Sequence, residues 1–200
     1  MKIKIISILI LILTIYTNPL KAQDVIMSLD TFTIYADDDG SSIPDDITYI
    51  KDVNNRLDPF VGTFTGIYAG KIYTFVISKY KDPSDGVAID VLNIKYKIED
   101  SNGVSLAQTL NIPDKSYDIT GQRFTSEGFY TATYVGFDGC AQAGTFSMVL
   151  SDTTNLPTIT PNQLTVYLDP ARELLTNDEC PNGASPHIFP TNEHFVLTRI

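Results

Sequence analysis

Few residues in this chain have both the type and the spacing to do chemistry. Between Tyr35 and Asp46 the chain gathers five carboxylates around Gly40. Aligned on that glycine, a calcium-binding EF-hand loop needs an oxygen ligand at Tyr35 and a glutamate where Asp46 stands. Tyr35 fails the first position, and no flanking helices are evident. An irregular calcium site would draw on Asp37, Asp39, Asp45 or Asp46, whereas a solvated acidic turn is the simpler reading. No metal site is assigned. His187 and His194 stand seven positions apart across a proline-containing segment, which matches no helical zinc motif. A Ser-His-Asp triad can assemble from anywhere in a chain, but no Gly-x-Ser-x-Gly elbow is present. Nothing selects a carboxylate pair for glycoside hydrolysis. Without a Gly-rich phosphate loop or a basic patch, nucleotide chemistry is not expected. The sequence therefore assigns no catalytic residue and no cofactor.

Cys140 and Cys180 are the two cysteines. In an oxidising compartment such a pair is most simply a disulfide. It would close about 40 residues and contribute on the order of 4 kcal/mol by loop entropy. A metal-binding or catalytic thiol is the weaker alternative, since there is no Cys-x-x-Cys and no histidine cluster beside it.

The N-terminus supplies the compartment. Lys2 and Lys4 precede an apolar run from Ile5 to Ile15, and Pro19-Leu20-Lys21-Ala22 ends on a small residue. That pattern is an export signal, residues 1–22, with cleavage after Ala22. The run is short for a membrane span, and an uncleaved anchor is the alternative. No cysteine near the cleavage point provides for a lipid anchor, so the expectation is a periplasmic or extracellular protein of a Gram-negative-type bacterium. The mature chain would have 178 residues, enough for one domain with a core. Loss of Lys2, Lys4 and Lys21 leaves 11 basic against 24 acidic residues, a net of −13. Such a surface repels nucleic acid and anionic membrane and favours solubility. No integral membrane segment is expected in the mature protein.

The elements that must position these residues are strands. Val, Ile, Thr, Tyr and Phe recur in alternating runs broken by Gly, Asn, Asp and Pro. Eight strands are expected near 61–68, 71–80, 87–99, 103–110, 128–137, 143–151, 163–169 and 194–200, with a further extended segment at 25–36. Ala69-Gly70, Asn102-Gly103 and Asp138-Gly139 are hairpin turns. Leu92, Ile94, Tyr96 and Ile98 share one face, as do Phe146, Met148 and Leu150, and Leu164, Val166 and Leu168. Helix is expected only as a turn or two after Asp169-Pro170 and within Asp52 to Leu57. Residues 111–127, 152–162 and 176–193 are read as loops. The expected fold is all-β, an antiparallel meander closing into a barrel over residues 53–200. Residues 23–52 are an acidic, partly extended N-terminal segment.

The stretch Leu57-Asp58-Pro59-Phe60-Val61-Gly62-Thr63-Phe64 resembles the entrance of lipocalin-like (calycin) barrels. The resemblance implies that Leu57 and Phe60 plug one end and that Gly62 allows close approach. Phe64 would be the packing aromatic, with Arg199 above its ring in a cation–π contact. The layout from Tyr49 to Ile200 also resembles a family of small secreted bacterial proteins of unknown function. The chain departs from the calycin pattern in having no Trp. Two functions compete. One is a barrel that binds a small apolar or amphipathic molecule. The other is an envelope structural or interaction protein whose barrel is filled. A hydrolase trails both. Large side chains such as Phe75, Tyr96, Phe146 and Met148 filling the interior would argue against the carrier. The eleven tyrosines are read as strand residues.

Overall fold

Alternating side chains send one face of each strand inward, and a sheet with one apolar face gains most by closing around it. The computed structural model describes residues 24–37, 43–83, 86–113, 119–136, 140, 142–151, 162–171 and 180–200. In chain order they form β1 (Ile26–Ser28), α1 (Leu29–Asp37), β2 (Tyr49–Lys51), a 3-10 turn (Asp58–Phe60), β3 (Gly62–Tyr68) and β4 (Lys71–Asp82). Then follow β5 (Ala88–Glu99), β6 (Ser105–Gln108), β7 (Ile119–Phe124), β8 (Tyr130–Tyr134), β9 (Gly144–Ser151), β10 (Gln163–Pro170) and β11 (His194–Arg199). Antiparallel pairing runs β5-β4-β3-β11-β10-β9-β8-β7, and Asn93 of β5 meets Thr120 of β7. That last pairing closes eight strands into an all-β antiparallel barrel.

The barrel differs from a plain meander in three places. Its fourth strand is β7, which lies inside the stretch read as a loop at 111–127. Gly121 and a bulge between Gly121 and Arg123 break the alternation there. The break is needed, because a Cβ on Gly121 would sit 2.3 Å from the Tyr130 hydroxyl and 2.5 Å from the Leu92 carbonyl oxygen. Strand β6, counted in the sequence as a barrel strand, pairs with β5 beyond the seam and lies off the closed path. The third difference is N-terminal. Only Ile26–Ser28 of the segment 25–36 is extended, and residues 29–37 are helical. The Ser28 hydroxyl accepts the Thr31 N–H at 3.0 Å, an N-cap that starts α1 despite its β-branched residues. Strands β1 and β2 join parallel, and β2 adds parallel to the start of β5.

Ala69 and Gly70 have φ of 47° and 75°, the left-handed pair that lets a tight hairpin follow the strand twist. The Asp138-Gly139 turn, the helix expected through Arg172 to Leu175, and residues 1–22 lie outside the described residues. Asp169 and Pro170 end β10. One apolar cluster runs through the barrel and includes Met27, Leu29 and Ile50 of the N-terminal segment. Among the described residues, no helix is long and apolar enough to cross a membrane.

Candidate functional site

The chain enters the barrel through Asp52 to Phe64, and a buried carboxylate shapes the entry. Asp52 accepts the N–H groups of Arg56 and Leu57 at 2.8 and 3.0 Å, and Lys79 of β4 approaches it at 3.1 Å. These bonds turn the backbone so that Leu57 and Phe60 face inward, where both are buried. Phe60 packs 5.9 Å from the rings of both Phe124 and Tyr130, and the Arg56 guanidinium covers the Phe124 ring at 3.9 Å. Gly62 follows with φ of 144°, a conformation that favours glycine. A Cβ there would lie 2.4 Å from the Arg199 guanidinium.

Arg199 comes from the last strand. Its register partner is Phe64, and its guanidinium carbon lies 4.4 Å from the centre of that ring. The same guanidinium donates to the carbonyl of Val61 at 2.6 Å and to the carbonyl of Pro59. Partial burial among these groups lowers the Arg199 pKa. Leu57, Phe60, Gly62, Phe64 and Arg199 thus meet at one end of the barrel.

Above this end the interior is occupied by side chains. Phe75, Tyr96, Phe146 and Met148 have no solvent exposure. Phe189, from the segment before β11, sits among them. Its ring centre lies 4.8 Å from that of Tyr96, 5.0 Å from Phe146, 5.2 Å from Tyr134 and 5.9 Å from Phe75. Sequence reasoning did not place Phe189 in the interior, because it lies in a proline-rich stretch with no periodicity. The nearest signal was Phe189-Pro190, an apolar ring with no strand to serve.

A disulfide holds that stretch in place. Cys140 and Cys180 are bonded, with their Cα atoms 5.7 Å apart. The Ser185 N–H donates to the Cys140 carbonyl at 2.9 Å, and the Gln142 side-chain amide donates to the Pro186 carbonyl at 2.9 Å. The region before β9 therefore grips the segment that delivers Phe189.

The carboxylates considered for calcium are used otherwise or not brought together. Asp37 accepts from the Arg123 guanidinium and from the Ser126 N–H at 2.8 Å, and these bonds hold its pKa below the usual range. Asp45 and Asp46 lie in an exposed turn, and Asp39 lies outside the described residues. No group of three metal-ligating side chains occurs among the described residues. His187 and His194 are separate. His187 borders a cleft of about 180 Å³ beside the β3–β4 hairpin, together with Tyr68, Lys71 and Tyr73. His194 stacks on Tyr167 at 4.9 Å on the outer wall. Both rings border a groove of about 230 Å³ with Phe129, Ser147, Val149 and Thr165.

Two further polar groups serve the fold. The Tyr130 hydroxyl accepts the Leu92 N–H at 2.8 Å beside the β5–β7 seam, and burial pushes its phenol pKa up. Tyr49 donates to Asp90 at 2.6 Å, and its phenol is raised by burial and then by that carboxylate.

A sequence model described as "Family of unknown function (DUF6705)" matches residues 1–198. The chain belongs to this family. No curated protein and no solved structure matches it. For DUF6705 the fold and the contacts above must carry the functional argument.

Proposed function

We propose that this DUF6705 protein is an exported, side-chain-filled barrel that works by contact through its outer surface. The carrier of a small apolar or amphipathic molecule is the less favoured reading. The observation that carries this choice is Phe189, whose ring occupies the place a buried ligand would need. A barrel of eight strands has an interior that side chains alone can fill. In this reading Leu57, Phe60, Gly62, Phe64 and Arg199 form the barrel floor and contribute stability without ligand chemistry.

Export is supported by Lys2, Lys4, the run Ile5 to Ile15 and Ala22. It is also supported by the Cys140–Cys180 bond, which suits an oxidising compartment. Native mass spectrometry of protein purified from its own source tests the proposal. The expected species begins at Gln23, lacks two hydrogens and carries no adduct. A small molecule that survives native conditions and leaves on denaturation would replace this reading with the carrier.

A further inference from the structure

The outer wall is electrically divided. Six neighbouring strands, β8-β9-β10-β11-β3-β4, alternate inward apolar residues with outward ones. Their outward positions hold Thr, Ser, Val, Ile, Tyr, Gln and His, and the only carboxylates among them are Asp169 and Asp82, both at strand ends. One cross-strand row is Thr131, Ser147, Tyr167 and His194. The next contains Val149, Thr165 and Val196. This neutral face belongs to a chain whose mature form carries a net charge of −13.

We propose that the centre of this wall, on β10, β11 and β3, is the interface of a homodimer. The inference rests on the reading that the protein works through its outer surface. Two copies so acidic repel each other when charged surfaces approach. An uncharged face keeps the carboxylates of the two copies apart and lessens that repulsion. It is also complementary in charge to itself, as a two-fold interface requires.

Shape supports the same partner. The groove bordered by Phe129, Val149, Thr165, Tyr167 and His194 lies on one side of β11. Ile67 of β3 lies on the other side and is 76% exposed. Val196, 45% exposed, stands between them, paired to Thr165 and beside Ile67 by the β11–β3 register. Strand spacing puts the groove and Ile67 each within about 10 Å of Val196. A two-fold axis running along β11 at Val196 sets the Ile67 of each copy over the groove of the other. The barrel curves away on both sides, so only β10, β11 and β3 with their near neighbours meet the partner; the buried area is below that of a stable interface, and the dimer is a weak one.

Sedimentation velocity and native mass spectrometry of the mature, disulfide-bonded protein test the dimer over about 10 μM to about 1 mM. The expected result is a concentration-dependent doubling of mass. The dimer should tighten as salt rises from about 20 mM to about 500 mM, because salt screens the mutual repulsion. Thr165→Asp and Ile67→Asp, each checked for unchanged melting, should weaken association at least tenfold. Val104→Asp, at an exposed turn off this face, should leave it intact. A monomer at every concentration and salt overturns the proposal. So does a dimer that neither face variant weakens, or a monomer retained on a neutral polysaccharide column, which would give the face to a saccharide. Mass separates the two readings. An excess far below one protomer overturns the filled-barrel function, while an adduct-free monomer overturns the dimer alone.

Discussion

Arg199 contributes more than a charge at the C-terminal end of β11. Its planar guanidinium lies over Phe64 while two of its N–H groups reach carbonyls in the turn that closes the barrel. Lysine keeps the charge but has neither the plane nor the fork. Arg199→Lys is therefore expected to cost roughly 1–3 kcal/mol, read as a lower denaturant midpoint at unchanged slope. Phe64→Ala removes a ring with no solvent exposure and should cost roughly 3–5 kcal/mol. An Arg199→Lys protein as stable as the parent would reduce the contact to simple charge. Parity along each strand puts Phe64 and Arg199 on inward faces, but their meeting depends on the β11–β3 register and was anticipated only through the calycin resemblance. Asp52 could not be anticipated. It acts on backbone groups four and five positions ahead and on Lys79 from another strand, and no side-chain pattern records such bonds.

Whole elements show where sequence patterns carry less. The long strands β4 and β5 were legible, because an uninterrupted period of two says strand and face together. Strand β7 was not, because its seam position demands a glycine and a bulge. Helix α1 was hidden by Thr33, Ile34 and Phe32, whose propensities favour strands. Leu29 buries one end of α1 in the core, and polar contacts at both ends add to that hold. Asp30 accepts from Asn54 at 2.5 Å and Arg56 at 2.6 Å, while Asp37 accepts from Arg123 and Ser126. Both carboxyls are held below their usual pKa, Asp30 chiefly by Asn54 and then Arg56, Asp37 chiefly by Arg123. A depressed carboxyl stabilises the fold above its unfolded pKa of about 4 and loses that contribution as pH falls through the lower folded value. Acid should therefore release α1 before the barrel opens. Hydrogen exchange, corrected for intrinsic rates, should show protection lost at residues 30–37 below about pH 4 while β4 and β5 stay protected. An Asp30→Asn, Asp37→Asn double variant should show the same opening at neutral pH. Equal protection of α1 and β5 down to the global acid transition would refute this anchoring.

For the molecule as a whole, the disulfide and Phe189 form a single device. A cross-link across 40 residues stabilises by restricting the unfolded chain, by roughly 4 kcal/mol in the entropy account. If that were its entire effect, breaking it would leave the native packing of Phe189 untouched. The costs of Cys180→Ser and Phe189→Ala would then add. The contacts point elsewhere. The bond sits at the root of the segment that carries Phe189, and hydrogen bonds from Ser185 and Gln142 tie that segment to the region before β9. Without the cross-link the segment has more freedom in the native state, so the ring is held less firmly and less is lost by truncating it. Phe189→Ala should cost roughly 3–5 kcal/mol in the oxidised protein. In a Cys180→Ser background the cost should be smaller by about 1 kcal/mol or more, a coupling that a double-mutant cycle resolves. Near-UV circular dichroism gives an independent reading, since Phe189 packs against Tyr96 and Tyr134. The aromatic signal should fall on reduction alone, before any loss of strand signal in the far-UV. Strict additivity with an unchanged aromatic spectrum would confine the disulfide to the unfolded state and leave Phe189 held by ring packing alone.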